Sequence, residues 1–126
     1  MPTERRRIEC LRDIVQYCDQ IEEFLRGFTR EAFDADLRTQ NAVLYSLQTV
    51  GEAAIRLDKE EKRRSEPGLM ENRYPHIPWR DVRGLSNVVR HGYDDIDLDI
   101  IWITATEGIR PVRDAANQEI ARADSD

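Results

Sequence analysis

From Arg5 to Phe28 the chain places Ile8, Leu11, Ile14, Val15, Cys18, Ile21, Phe24, Leu25 and Phe28 in steps of three and one. A helix of 3.6 residues per turn gathers such a set onto one face, and that face must be buried against another element. The pattern returns at Leu37, Ala42 or Val43, Leu47, Val50, Ala54 and Leu57. Asp36 is placed to cap this second long helix, which is predicted to run to about Arg64. Between the two, Thr29 with Ala32 and Phe33 predicts a turn or a brief helix. "SEPGLMENRYPHIP" (65–78) holds Pro67, Gly68, Pro75 and Pro78 and reads as loop. Pro78 then opens a third helix through about Tyr93. "DDIDLD" (94–99) breaks it, and Asp97 caps a fourth that carries Ile100, Ile101, Trp102, Ile103, Ile109 and Val112. Pro111 lies inside this last pattern and predicts a kink or break near Gly108. No strand pattern and no internal repeat interrupts the series. The predicted class is all-α, an up-and-down bundle of four to five helices, with residues 1–126 as one domain.

The charge balance narrows the partners. The chain has a net charge of −6 and a pI near 5.0, whereas proteins that coat nucleic acid non-specifically are usually basic. Any RNA contact must come from a local cluster of arginines; only Lys59 and Lys62 are lysines, and arginine is the better bidentate phosphate ligand. No run of about 18 apolar residues occurs that would span a membrane, and "MPTERRRIEC" is not a secretory leader, so a cytoplasmic location is expected. Cys10 and Cys18 lie eight residues apart on one helix, roughly 12 Å at 1.5 Å per residue, too far for a disulfide. Both read as small core residues, and no Cys or His pair has the spacing of a metal site. No cofactor is expected.

The third helix carries the chemistry. On a wheel of 100° per residue, Val82, Leu85, Val88, Val89 and Tyr93 fall on one side. Arg80, Arg83, Asn87, Arg90, His91 and Asp94 share a roughly 100° arc on the other. Arg83, Asn87 and His91 then follow one another at i, i+4 and i+8. A histidine exchanges protons near neutral pH, and nearby guanidiniums hold a phosphate and neutralise charge in a transition state. With a ribose 2′-hydroxyl as internal nucleophile, such a face suits phosphodiester cleavage of RNA without a metal. Asn87 and Tyr93 offer hydrogen bonds to a phosphate or base. A plain solvated helix face would also be rich in arginine. His76 reads as a loop residue, and the "DDIDLD" carboxylates as a capping turn.

Three stretches carry a family resemblance: "NAVLYSLQTVGEAAIRL" (41–57), "YPHIPWRDVRGLSNVVRHGYDDIDLDIIW" (74–102) and "TATEGIRPVRD" (104–114). Together they resemble the HepT-like toxins of the HEPN superfamily over nearly the whole chain. The resemblance implies a helical bundle that forms a homodimer, with the histidine motif of each subunit facing a shared cleft. It further implies a metal-independent endoribonuclease, the toxin of a toxin–antitoxin pair. The antitoxin would be a minimal nucleotidyltransferase of the MNT type that adds AMP to the tyrosine of the His-x-Tyr motif. Carried onto this chain, the histidine is His91, the tyrosine is Tyr93, and the polar residue after the motif arginine is Asn87. The match departs at two places. Ser86 stands five before His91 where the family motif has arginine, and Tyr45-Ser46 replaces a frequent Arg-Asn. Arg83 or Arg90 is then the expected substitute for the missing charge.

Two functions from different classes follow. In one, RNA enters a dimer cleft, His91 is the general acid/base, Arg83 or Arg90 holds the phosphate, and Arg80, Asn87 and Tyr93 bind substrate. In the other, the same face is a non-catalytic module that binds a nucleotide or the partner nucleotidyltransferase. A bundle of this size also leaves apolar surface for a second copy to cover.

Overall fold

The computed structural model describes residues 2–88 and 96–125. The first stripe forms α1 (Pro2–Leu25), which ends where Gly27 takes a left-handed φ of 78°. Thr29 caps α2 (Arg30–Asp34), its Oγ1 accepting from the Ala32 amide at 3.1 Å. Asp36 caps α3 (Leu37–Arg63) by accepting from the Thr39 amide at 3.1 Å. The Asp97 carboxylate caps α6 (Leu98–Ile103) through the Asp99 and Ile100 amides. All three short polar residues satisfy amides that a helix start leaves without partners.

α1 packs chiefly on α3 and then on α7 (Ile109–Ser125). Both neighbours run antiparallel to it, since Arg7 near its start meets Glu61 late in α3 and Glu119 late in α7. The core between them holds Leu11, Ile14, Cys18 and Ile21 of α1, Val43, Leu47, Val50 and Leu57 of α3, and Val112 and Ala116 of α7. Each Leu, Ile and Val side chain among these contributes about 1.5–3 kcal/mol by leaving water. Among the described residues every regular element is helical.

Four expectations are corrected. The 65–78 stretch is not all loop: after Gly68, in the left-handed region at φ 70°, Leu69–Arg73 forms α4. Its reason lies in Met70 and Tyr74, spaced i, i+4 and both buried. Within the described residues the third helix is α-helical over Trp79–Gly84 (α5) and then tightens into a 3₁₀ turn at Leu85–Asn87. The last helix does not break near Gly108; the irregularity expected there is a π turn. Residues 98–125 run on through a π turn at Thr104–Gly108, where the Ile109 amide reaches the Thr104 carbonyl. The wider turn makes room upstream of a ring that would otherwise press on the carbonyl four residues back. Finally, Leu37, Ile100 and Ile103 do not join the core. Ile100 and Ile103 are 61% and 55% exposed because α6 turns Ile101 inward, and its neighbours one before and two after point elsewhere. Leu37 sits on the capping turn, where Gln40 folds back to the Phe33 and Asp34 carbonyls.

One end of the bundle is tied by charge. Arg7, Glu61 and Glu119 are 3%, 2% and 1% exposed. The Arg7 guanidinium donates to Glu61 Oε2 at 3.2 Å and to Glu119 Oε1 at 2.6 Å, and it reaches Met70 Sδ at 3.7 Å. Glu119 also accepts from Arg73, and from the Tyr74 hydroxyl at 2.7 Å. The network joins α1, α3 and α7 and fastens α4 and its following residue onto them.

Candidate active site

The polar arc begins where α5 leaves this network. Pro78 is the N-cap of α5, and Trp79 turns inward, its Nε1 donating to the Tyr74 carbonyl at 3.1 Å. With Trp79 and Val82 buried, Arg80 projects into solvent and Arg83 lies half-buried. Arg83 is not free: its Nη1 donates to Glu71 Oε1 on α4 at 3.2 Å. Glu71 was not foreseen, because its segment read as loop. The i, i+4 spacing of Met70 and Tyr74 was the available signal.

The 3₁₀ turn changes the wheel. At about 120° per residue instead of 100° across Leu85–Asn87, Asn87 is carried roughly 60° further round than an α-helix would place it. Arg83 and Asn87 are therefore not stacked on one line, and no hydrogen bond joins them among the described residues. Asn87 is exposed, and Ser86 is half-buried. Arg90, His91, Tyr93 and Asp94 lie outside the described residues.

What fixes this turn is glycine on α3. A Cβ built at Gly51 would stand 2.3 Å from the Ser86 amide nitrogen and 2.8 Å from the Leu85 carbonyl carbon. Both are backbone atoms, so no side-chain adjustment relieves the clash. The glycine of "GEAA" thus lets the 85–86 backbone lie directly on α3 and sets the take-off of the chain toward His91. An isolated glycine inside a helical stripe was the sequence signal for this close approach.

α3 presents the second variant position on this architecture. Tyr45 is exposed and packs edge-on against Tyr17, with ring centroids 6.5 Å apart. Ser46 is fully buried, and its hydroxyl has no hydrogen-bond partner among the described residues. Neither supplies a positive charge. The described cations of the arc are therefore Arg80, solvated, and Arg83, held by a carboxylate.

The remaining candidates have simpler roles. His76 is exposed in the loop between α4 and α5. Asp97 is a cap, and Asp99 pairs with Arg30 at 2.6 Å. Cys10 and Cys18 are buried free thiols in the core. No set of three His, Cys, Asp or Glu side chains among the described residues is arranged to hold a metal ion. No helix among them is long and apolar enough to cross a membrane.

The chain is similar to a family of known proteins. Residues 14–119 match the HepT-like family, described as ribonuclease HepT-like. A "Probable ribonuclease HepT" of Thermococcus cleftensis is 32% identical over 106 residues, covering 84% of this chain and 88% of that protein. A Methanocaldococcus jannaschii protein named "Putative RNase MJ0127" is 33% identical over 92 residues, 73% of this chain and 69% of that protein. No solved structure matches the chain.

Proposed function

This chain belongs to the HepT-like ribonuclease family, and from that premise we propose that it is a metal-independent endoribonuclease. The observation that carries the reading is the family match over residues 14–119, which spans the whole polar arc and the Gly51 contact beneath it. The ribose 2′-oxygen attacks the adjacent phosphorus, the bond to the 5′-oxygen breaks, and the products are a 2′,3′-cyclic phosphate and a 5′-hydroxyl. His91 takes the proton from the 2′-hydroxyl and, as imidazolium, returns one to the leaving oxygen. Arg83, on giving up Glu71, and Arg90 hold the phosphate as its charge grows, which substitutes for the arginine replaced by Ser86. Arg80, Asn87 and Tyr93 bind the flanking substrate.

The protein acts as a homodimer, with exposed Leu37, Ile100 and Ile103 supplying apolar surface for the second copy. It serves as the toxin of a toxin–antitoxin pair, and an MNT-type nucleotidyltransferase silences it by transferring AMP to Tyr93. That modification puts a bulky anion two residues from the general base.

A specific observation favours the second reading, a module that binds a nucleotide or the nucleotidyltransferase without cleaving RNA. Ser86 and Tyr45-Ser46 lack the usual charge, and Arg83 already has a carboxylate partner. One assay separates the two. Purified protein is incubated with tRNA, mRNA and ribosomal RNA in EDTA beside its folded His91→Ala variant. Cleavage by the wild type alone, leaving 2′,3′-cyclic phosphate ends, supports the nuclease. Equal inertness of both proteins leaves the binding module. In the first case Arg83→Ala should lose about 10²- to 10³-fold in rate, the usual consequence of removing one transition-state donor.

A further inference from the structure

A second cleft lies on the side of the bundle where the end of α1 meets the 98–125 helix. It encloses about 410 Å³, within the range of small-ligand sites. None of its described lining residues belongs to the 80–93 arc. Leu25, Ala105 and Ile109 form a buried apolar floor, with Phe28 and Trp102 half-buried beside it. The Trp102 ring is steadied from behind by Phe33, centroid to centroid 5.3 Å at 46°. It offers the cleft a preset aromatic surface.

Three arginines stand on the rim. Arg26, Arg110 and Arg113 face one carboxylate, Glu22. Arg113 is committed, donating to Asp19 at 3.0 Å and also to Glu22. Arg26 pairs with Glu23 at 2.9 Å, with both side chains more than two-thirds exposed, and such a contact holds weakly. Arg110 is exposed and makes no ion pair among the described residues. The Thr106 hydroxyl is already donated to the Trp102 carbonyl at 2.7 Å. Polar recognition in this cleft therefore falls to the guanidiniums of Arg110 and Arg26. Guanidinium forks bind flat anions in a bidentate manner, and aromatic faces bind flat rings.

We propose that this cleft binds a planar aromatic ring carrying one anionic group, a molecule of mononucleotide size. The ring lies against Trp102 and Phe28, and the anion sits at Arg110 and Arg26. None of the described residues that line this site takes part in the cleavage reading.

The two tryptophans make the test selective, because Trp79 is buried with its indole N–H bound to the Tyr74 carbonyl. The ¹⁵N-labelled full chain is titrated with AMP, as an aromatic phosphate, and with 2-naphthoate, as an aromatic carboxylate, while both indole N–H signals are followed. Adenosine and inorganic phosphate are the half-ligand controls. At least one aromatic anion should shift the Trp102 signal saturably while Trp79 stays still, and each half-ligand should bind at least tenfold more weakly. Whichever of AMP and 2-naphthoate binds identifies the anion. Arg110→Ala, a solvent-exposed change that leaves the melting temperature in place, should weaken binding at least tenfold, with Arg110→Lys recovering part. His91→Ala should bind like the wild type even if it abolishes cleavage. The proposal is overturned if neither anion gives a saturable Trp102 shift, if both indoles move alike, or if Arg110→Ala binds as tightly as the parent.

Discussion

Glu61 should make this protein less stable as the solution turns from acid to mildly basic. Arg7 reaches both Glu61 and Glu119. Burial pushes Glu119 up, but hydrogen bonds from Tyr74 and Arg7 outweigh it and leave this carboxyl below its ordinary range. Glu61 fares differently: burial dominates over Arg7, with Glu71 nearby adding repulsion, and its carboxyl is pushed up from 4.5 to about 7. Between those two values the folded state holds a proton that the unfolded state has released. Stability from this group is thus fully present below pH 4.5 and is lost as pH rises to about 7. At 1.36 kcal/mol per unit, a span of about 2.5 units amounts to about 3 kcal/mol. Glutamine keeps the shape of the protonated acid and can still accept from Arg7. Glu61→Gln should therefore match the wild type in urea unfolding at pH 4.5 and exceed it by about 3 kcal/mol at pH 8. The opposing view is that the Arg7–Glu61 ion pair wins, since breaking a buried pair by removing one partner commonly costs about 3–5 kcal/mol. If Glu61→Gln is clearly less stable than wild type at pH 8 while equal to it at pH 4.5, the Arg7 pair favours the ionised carboxylate in the fold, Glu61 is lowered and not raised, and the reasoning is wrong.

Two further outcomes test other parts of the structure. Gly51→Ala should destabilise by about 1–3 kcal/mol in thermal unfolding, as overpacking does, and should lower RNA cleavage by more than the unfolded fraction explains. Its methyl strikes the backbone that carries the chain toward His91. Burial raises the thiol of Cys10 and pushes that of Cys18 up to about 12, so neither should react with maleimide at pH 7.5 in the native protein. Mass spectrometry should find both labelled once urea is added.

The long helices and their caps were legible because they rest on local rules. A 3.6-residue stripe needs only sequence neighbours, and Asp36 and Asp97 each cap within three residues of themselves. What escaped was decided at long range. Arg7 stands one turn before Cys10 and Leu11, Glu61 one turn after Leu57, and Glu119 one turn after Ala115 and Ala116. All three occupy the register of the core, but a stripe defined by apolar residues records them as its end. Only the meeting of three helices shows that a positive charge from one answers negative charges from the others.

The same limitation reaches the site. α4 is a short segment with little helix of its own to stabilise it, and it is held by Met70 in the core and by Arg73 and Tyr74 on Glu119. Because α4 is held there, Glu71 stands opposite Arg83. A wheel drawn from the sequence gave Arg83 an open polar face, whereas the fold gives it a carboxylate that RNA must displace. The pairing also links the buried charge network to the polar face. Glu71 helps to raise Glu61, so neutralising Glu71 should both ease the buried acid and release the arginine. In this fold, the buried charge network and the cation proposed to grip the phosphate therefore share one residue.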